Sequence, residues 1–239
     1  AEKTQAPEPQ PQAAQLPGYI TGMRVEQPRG TRGSLKWIQL AVGQGGQTLC
    51  PSSFPPVRWM SPLAEDNFAE YRDASFLGRL GLAALAPNLR EFWPARGPQW
   101  DALGVFDGGI VLVEAKAHIR EFFSPPTTAS GRSLEQIRAA FALTRASLGA
   151  SDKSAWETSF YQYANRIAHL DFLRRNSINA HLIFVNFLGD ADMKGPVSAE
   201  TWEAAFQTAD FALGLPKRHK SSRFIHHVFP DVSDLEAEH

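Results

Sequence analysis

Residues 97–118 read GPQWDALGVFDGGIVLVEAKAH, and this stretch decides the fold. Asp107-Gly108-Gly109 is turn chemistry, because Asp-Gly and Gly-Gly pairs tolerate the positive φ that a tight hairpin demands. Strand-like residues on both sides predict a β-hairpin. The second strand, Ile110 to Val113, is an unbroken β-branched and leucine run, as expected where both faces of a sheet are covered. It ends abruptly in Glu114-Ala115-Lys116. Side chains two apart on a strand share a face, so Glu114 and Lys116 point the same way. The hairpin also brings the carboxylate of Asp101, on the preceding strand, beside Glu114. Two carboxylates and a lysine then meet where a buried sheet opens to solvent, a costly arrangement unless it binds something.

Metal-assisted phosphodiester hydrolysis is the chemistry that wants such a cluster. A hard cation such as Mg²⁺ (or Mn²⁺) takes one or two carboxylates together with water and substrate phosphate. It lowers the pKa of bound water and neutralises charge in the transition state. A neighbouring lysine orients the attacking water or steadies the developing charge. In this chain Asp101, twelve intervening residues and Glu114-Ala115-Lys116 on an apolar strand resemble the PD-(D/E)XK nuclease superfamily. Trp100 stands where the superfamily's proline precedes the acid, with Pro98 two positions earlier. An isolated E-x-K triplet carries little information, and its bland counterpart is an ion pair at a strand end. The flanking elements therefore have to carry the argument.

Composition sets outer bounds. The chain has 239 residues, of which 43% are hydrophobic and 21% charged, which fits one large domain with extensions. A formal net charge of −1 announces no global positive field for nucleic acid. The single cysteine, Cys50, excludes an internal disulfide and a cysteine-rich zinc module. No apolar run approaches the roughly 18 residues of a membrane span. No signal-peptide pattern opens the sequence, so the default expectation is a cytoplasmic protein without a membrane partner.

Residues 1–17, rich in Pro, Gln and Ala, read as a disordered tail. Residues 18–60 read as an N-terminal β extension, with Tyr19 to Val25 and Leu35 to Val42 as strands. The nuclease-like domain is expected over 61–230. It opens with a helix from Ser61, at the N-cap, and Pro62, at the first helical position, through Leu85. On that helix Glu70 shares a face with Asp66 and Asp73. The resemblance implies a metal-binding acid from this first helix; Glu70 is the choice and Glu65 the reserve. A short strand is expected over Leu89 to Trp93, before the hairpin. Ser133 and Gln136 form a capping-box pattern opening a helix to Leu148.

A further helix over about Ala155 to Arg174 gathers Phe160, Tyr163, Ala164, Ile167 and Leu170 on one side. Gln162, Asn165, Arg166 and His169 gather on the other. The second side offers amide and guanidinium groups suited to phosphate or base contacts, and superfamily members often present such groups from this helix. Asn179 to Leu188 reads as a buried strand. Ser198 caps a helix through Leu213, with Phe211 among its core candidates. The basic run 217–223 is a solvated loop or a backbone contact, Phe224 to Phe229 a last strand, and 231–239 a polar tail.

The order helix, three strands, helices, strand, helix matches the αβββαβ core of the restriction endonuclease-like fold: an α/β protein with a mixed sheet flanked by helices. Chain and motifs (EYRDASFL, FWPARGPQWDALG, VLVEAKAHI, YQYANRIAHLDFL) are similar to an uncharacterised bacterial family of that superfamily. The resemblance implies a Mg²⁺-dependent endonuclease. Glu70, Asp101 and Glu114 hold the metal, Lys116 acts on water, and Gln162, Asn165 and Arg166 contact nucleic acid, with DNA favoured. A homodimer stays open, since nucleases that cut both strands often pair. The competing expectation is a catalytically silent member of the fold that binds nucleic acid or a protein partner.

Overall fold

The computed structural model describes residues 24–237, and the expected tail over 1–17 lies outside them. The elements run β1 (Arg24–Val25), α1 (Gly33–Gly43), β2 (Arg58–Ser61), β3 (Glu70–Tyr71), α2 (Asp73–Arg79) and α3 (Ala86–Phe92). Then come β4 (Ala102–Phe106), β5 (Gly109–Lys116), α4 (Ile119–Phe122), α5 (Gly131–Leu148) and α6 (Tyr161–Arg175). The last are β6 (Ala180–Asn186), α7 (Ala199–Ala212), β7 (Ile225–Val228) and α8 (Val232–Ala237).

Five strands form one mixed sheet in the order β2-β4-β5-β6-β7. The first three are antiparallel, and β5, β6 and β7 are parallel. The hairpin forms where its turn residues put it, with Gly108 at φ 76°, a conformation glycine adopts without steric cost. The sheet is covered on both faces. Val111, Val113, Ala115, Ile183 and Val185 pack on α1 and α8 through Trp37, Ile38, Ala41, Val42 and Leu235. Ile110, Leu112, Leu182 and Phe184 pack on the opposite side, against α5, α6 and α7. Both neighbours of β5 are strands and both its faces are apolar, which is why its sequence shows no alternation.

Trp100, Trp156 and Trp202 are fully buried. Trp156 donates its Nε1–H to the Leu213 carbonyl at 2.8 Å, and Trp202 donates to Phe187 at 3.3 Å. Burying an indole of this size contributes roughly 3–5 kcal/mol.

The N-terminal half departs from the sequence expectations. Leu35 to Val42 belongs to helix α1, not to a β extension. Trp37 and Ala41, like Ile38 and Val42, recur at helical spacing and face the sheet. The long helix expected from Ser61 to Leu85 is broken into pieces. Ser61 ends β2, Ala64–Asp66 forms one 3-10 turn, and Glu70–Tyr71 is extended, pairing with β1 and, through Tyr71, with Trp100. Asn67, Phe68 and Asp73 all take positive φ, which no continuous helix permits. Only Asp73–Arg79 remains α-helical there, with a second 3-10 turn at Ala83–Leu85, and the expected strand Leu89 to Trp93 lies largely in helix α3.

Helix α5 starts at Gly131 with Ser130 at its N-cap, so the Ser133–Gln136 capping box does not form. Gln136 instead donates to the carbonyls of Arg90 and Glu91. Helix α6 begins at Tyr161, several residues after the expected start. The C-terminal segment read as a polar tail contains α8, which buries Val232 and Leu235. Phe211, a core candidate, is 89% exposed.

Candidate active site

Strand register assembles the centre. Ala102 pairs with Val113, so Asp101, one step earlier, stands opposite Glu114. Alternation places Glu114 and Lys116 on the face of β5 that carries Ile110 and Leu112, the face covered by α6. The Asp101 carboxylate folds over the end of β4, where its Oδ2 accepts the Ala115 N–H at 2.7 Å. The three residues singled out in the hairpin are therefore neighbours in space.

Glu114 is buried and carries a cation on each oxygen. Lys116 Nζ donates to Oε1 and Arg166 Nε to Oε2, both at 2.5 Å. Arg166 is itself buried and spends two further donors locally. Nη1 donates to Asn165 Oδ1 at 2.8 Å and Nη2 to the Gln99 carbonyl at 2.9 Å, while the guanidinium lies 5.0 Å from the centre of the Trp100 ring. A charged guanidinium fits a buried site only when its fan of donors is satisfied in this way.

Glu70 reaches the same place from β3 rather than from a helix. Its Oε2 accepts from Gln99 Nε2 at 2.5 Å and from Gln27 Nε2 at 2.9 Å. Glu65, the reserve acid, is exposed on the 3-10 turn. Asp66 is taken by Arg24 and Tyr71. Asp73 accepts the Arg96 and Gly97 N–H groups at 3.0 and 2.8 Å, which pins the Pro94–Gln99 loop. The shared acidic face expected of Asp66, Glu70 and Asp73 does not exist, because the segment is not one helix.

Electrostatics separate the acids. Burial drives the Asp101 carboxyl well above its usual range and the negative charge of Glu114 adds to the shift, with Lys116 opposing it. Burial also raises Glu70; its amide partners oppose this and Glu114 reinforces it. For Glu114 the penalty of burial is overcome by Arg166 and Lys116, which hold it below the ordinary value. Lys116 is raised: burial pulls it down, but Glu114 and Asp101 outweigh that. Three acids thus share two buried cations.

Asn165 and Arg166 are buried, and Gln162 is half-buried, on a helix that is covered nearly all round. Its polar residues face the acid centre and the cleft beside it. Their outlet is a cleft of about 620 Å³ between the Pro94–Gln99 and Ser124–Ser130 loops. Gln99, Gln162, Asn165 and Arg166 all border it. None of the basic run 217–223 does; Lys220 lies 3.6 Å from Asp171 instead. His118 stands 4.0 Å from Glu121, away from the acids.

Gln27 and Gln99 are the site residues that sequence reasoning missed. Gln27 lies 43 positions from Glu70, and no local pattern announces that contact. Gln99 sits two residues before Asp101, where the hairpin signal itself draws attention. Among the described residues, no three His, Cys, Asp or Glu side chains form a ready cation cage. No helix among them is long and apolar enough to cross a membrane. Comparison with family models, with curated proteins and with solved structures finds no match to the chain.

Proposed function

We propose that the protein is a metal-dependent phosphodiester hydrolase of the PD-(D/E)XK type acting on nucleic acid, with DNA favoured. One observation carries this reading: Glu70, Asp101, Glu114 and Lys116 converge at the end of the central hairpin from three separate strand segments. The element order supports it as well. With α1 as the first helix, α1, β2, β4, β5, α6 and β6 follow the αβββαβ sequence of the superfamily core.

The donor set suits a hard cation such as Mg²⁺ or Mn²⁺. Among the described residues, Glu70 Oε1 and Asp101 Oδ1 have no hydrogen-bond partner, while both oxygens of Glu114 are engaged. Glu70, Asp101 and Glu114 would hold the ion, which when bound supplies Lewis-acid stabilisation of the phosphoryl oxygens and a more acidic water. Lys116 would orient an attacking water and shield charge near the scissile phosphate. Arg166 keeps Glu114 ionised, and Gln162 and Asn165 border the path of the strand.

The test is a calorimetric titration of Mn²⁺ into the wild type and Asp101→Asn, paired with a plasmid-cleavage assay of Lys116→Ala. Carboxylate-dependent heat, lost in Asp101→Asn, and cleavage abolished in Lys116→Ala with Mn²⁺ binding retained, are the expected results. Equal heats in both proteins, or unaltered cleavage in Lys116→Ala, would overturn the assignment.

A second reading has its own observation. Both Glu114 oxygens are saturated by Lys116 and Arg166, as in an ion-paired fold that binds nucleic acid or a protein without cutting. Absence of Mn²⁺ heat in the wild type, with oligonucleotide present, selects that reading.

A further inference from the structure

The cleft beside the acids is built for an anion of its own. It is bordered by Arg96 and Arg166, by the amide side chains of Gln99, Gln162 and Asn165, and by no carboxylate. Serine and threonine hydroxyls of the Ser124–Ser130 loop line the opposite wall. Two helices start there. Ser130 and Ser133 of the α5 N-terminus, and Tyr161 and Gln162 of the α6 N-terminus, are all on its surface. These helices have 18 and 15 residues, carry no acid in the first turn, and have no side-chain bond from their N-cap residues. At α6 the Ser124 Oγ accepts the Gln162 N–H at 2.9 Å, while the partial positive end of α5 meets the cleft without such a side-chain partner.

Asn165 supplies the independent sign of a ligand. It is only 5% exposed, and Arg166, which can only donate, fixes its Oδ1 as the acceptor. Its Nδ2 donor is left without a partner among the described residues, on a residue that lines the cleft. The donor of this nearly buried side chain therefore opens on the cleft, where an acceptor of a bound ligand can take it.

We propose that this cleft binds a phosphate monoester, and, resting on the nuclease reading above, that its source is the phosphorylated end of a nucleic-acid strand. A terminal phosphate carries nearly two negative charges at neutral pH and three strong acceptor oxygens, unlike the single charge of an internal phosphodiester. Arg96, the Asn165 amide, the Ser and Thr hydroxyls and the α5 start supply donors for those oxygens, with Arg166, already paired to Glu114, at the inner wall. Tyr161 and Ile137 on the same wall give sugar and base an apolar surface. Arg166 touches both Glu114 and this cleft, so an anchored end sits next to the candidate metal ligands.

The test uses the full chain in EDTA, which keeps it independent of metal binding and of cleavage. Anisotropy of internally labelled oligothymidylates with a 5′-phosphate, a 3′-phosphate or no terminal phosphate is measured, and dTMP serves as competitor. One phosphorylated end is expected to bind about ten-fold tighter than the unphosphorylated strand. Asn165→Asp keeps the acceptor for Arg166 but replaces the free donor, and is expected to remove that preference while the melting temperature holds. Arg96→Gln, at the exposed rim, is expected to weaken it without involving the core. Competition by dTMP as strong as that of the phosphorylated strand would assign the pocket to a free nucleotide, overturning the strand-end source. Equal affinity for all three strands, unchanged by both variants, would overturn the pocket itself. Because strand binding in EDTA reads the pocket without metal or cleavage, a failed nuclease reading and a failed pocket give different results.

Discussion

Two buried carboxylates near helix α6, Glu114 and Asp171, are each held by two cations, yet they are built for different purposes. Asp171 is completely buried, and its partners are Ser147 at 2.6 Å, Arg175 one turn along the helix at 2.7 Å, and Lys220 at 3.6 Å. Both cations remain in water over much of their surface, with side chains 34% and 52% exposed. The result is a tether that ties the basic run and α5 to α6. Around Glu114 the cations are sealed in, at 13% exposed for Lys116 and 7% for Arg166, and Asp101 and Glu70 crowd the same space. The Asp171 pair meets water at the surface, whereas the Glu114 cluster keeps charge of both signs inside the protein.

Matched isosteric changes break the comparison most sharply. Glu114→Gln leaves Lys116 and Arg166 facing a neutral amide inside the protein, and urea unfolding is expected to show a loss of about 3 kcal/mol or more. His169, on α6 between Arg166 and Asp171, sharpens it in acid. Its ring is buried among Phe92, Trp93 and Trp100, and burial pushes its pKa from 6.5 down to about 3. The unfolded chain takes up this proton below 6.5 and the native protein only near 3, so this residue's contribution falls as pH drops through that window. By pH 4 the loss amounts to about 3 kcal/mol, and His169→Gln is expected to show a correspondingly flatter melting profile between pH 6.5 and 4. The smallest effect belongs to Asp171→Asn, about 1 kcal/mol by the same urea measurement, because Arg175 and Lys220 can turn to solvent. Equal costs for Glu114→Gln and Asp171→Asn would show that the hairpin cluster is an ordinary ion pair.

The hairpin and its cluster were legible in the sequence because local chemistry determines them. The Asp107-Gly108-Gly109 turn sets the register, and register alone puts Asp101 opposite Glu114. The region before it was not legible. Leu35 to Val42 is short and apolar enough to read as a strand, and its i, i+4 pairs Trp37/Ala41 and Ile38/Val42 show their helical meaning only once they pack on Val111 and Val113. Residues 61–85 contain a helical pattern that long-range pairing of Tyr71 with Arg24 and Trp100 overrides. Glu70 was singled out from that mistaken helix, yet it reaches the site through strand pairing. The polar side of α6 was identified by its residues, but periodicity does not reveal that Arg166 finds a partner on another element.

The outermost strands of the main sheet have a consequence of their own. Both β2 and β7 are four residues long. The first carries a register shift between Trp59 and Ser61 and is flanked by Pro55, Pro56 and Pro62; the second runs into Pro230. Short, kinked, proline-bounded margins make poor templates for a strand from another molecule. The sheet is thereby a finite object that resists edge-to-edge polymerisation, although its central strands are among the most apolar segments of the chain.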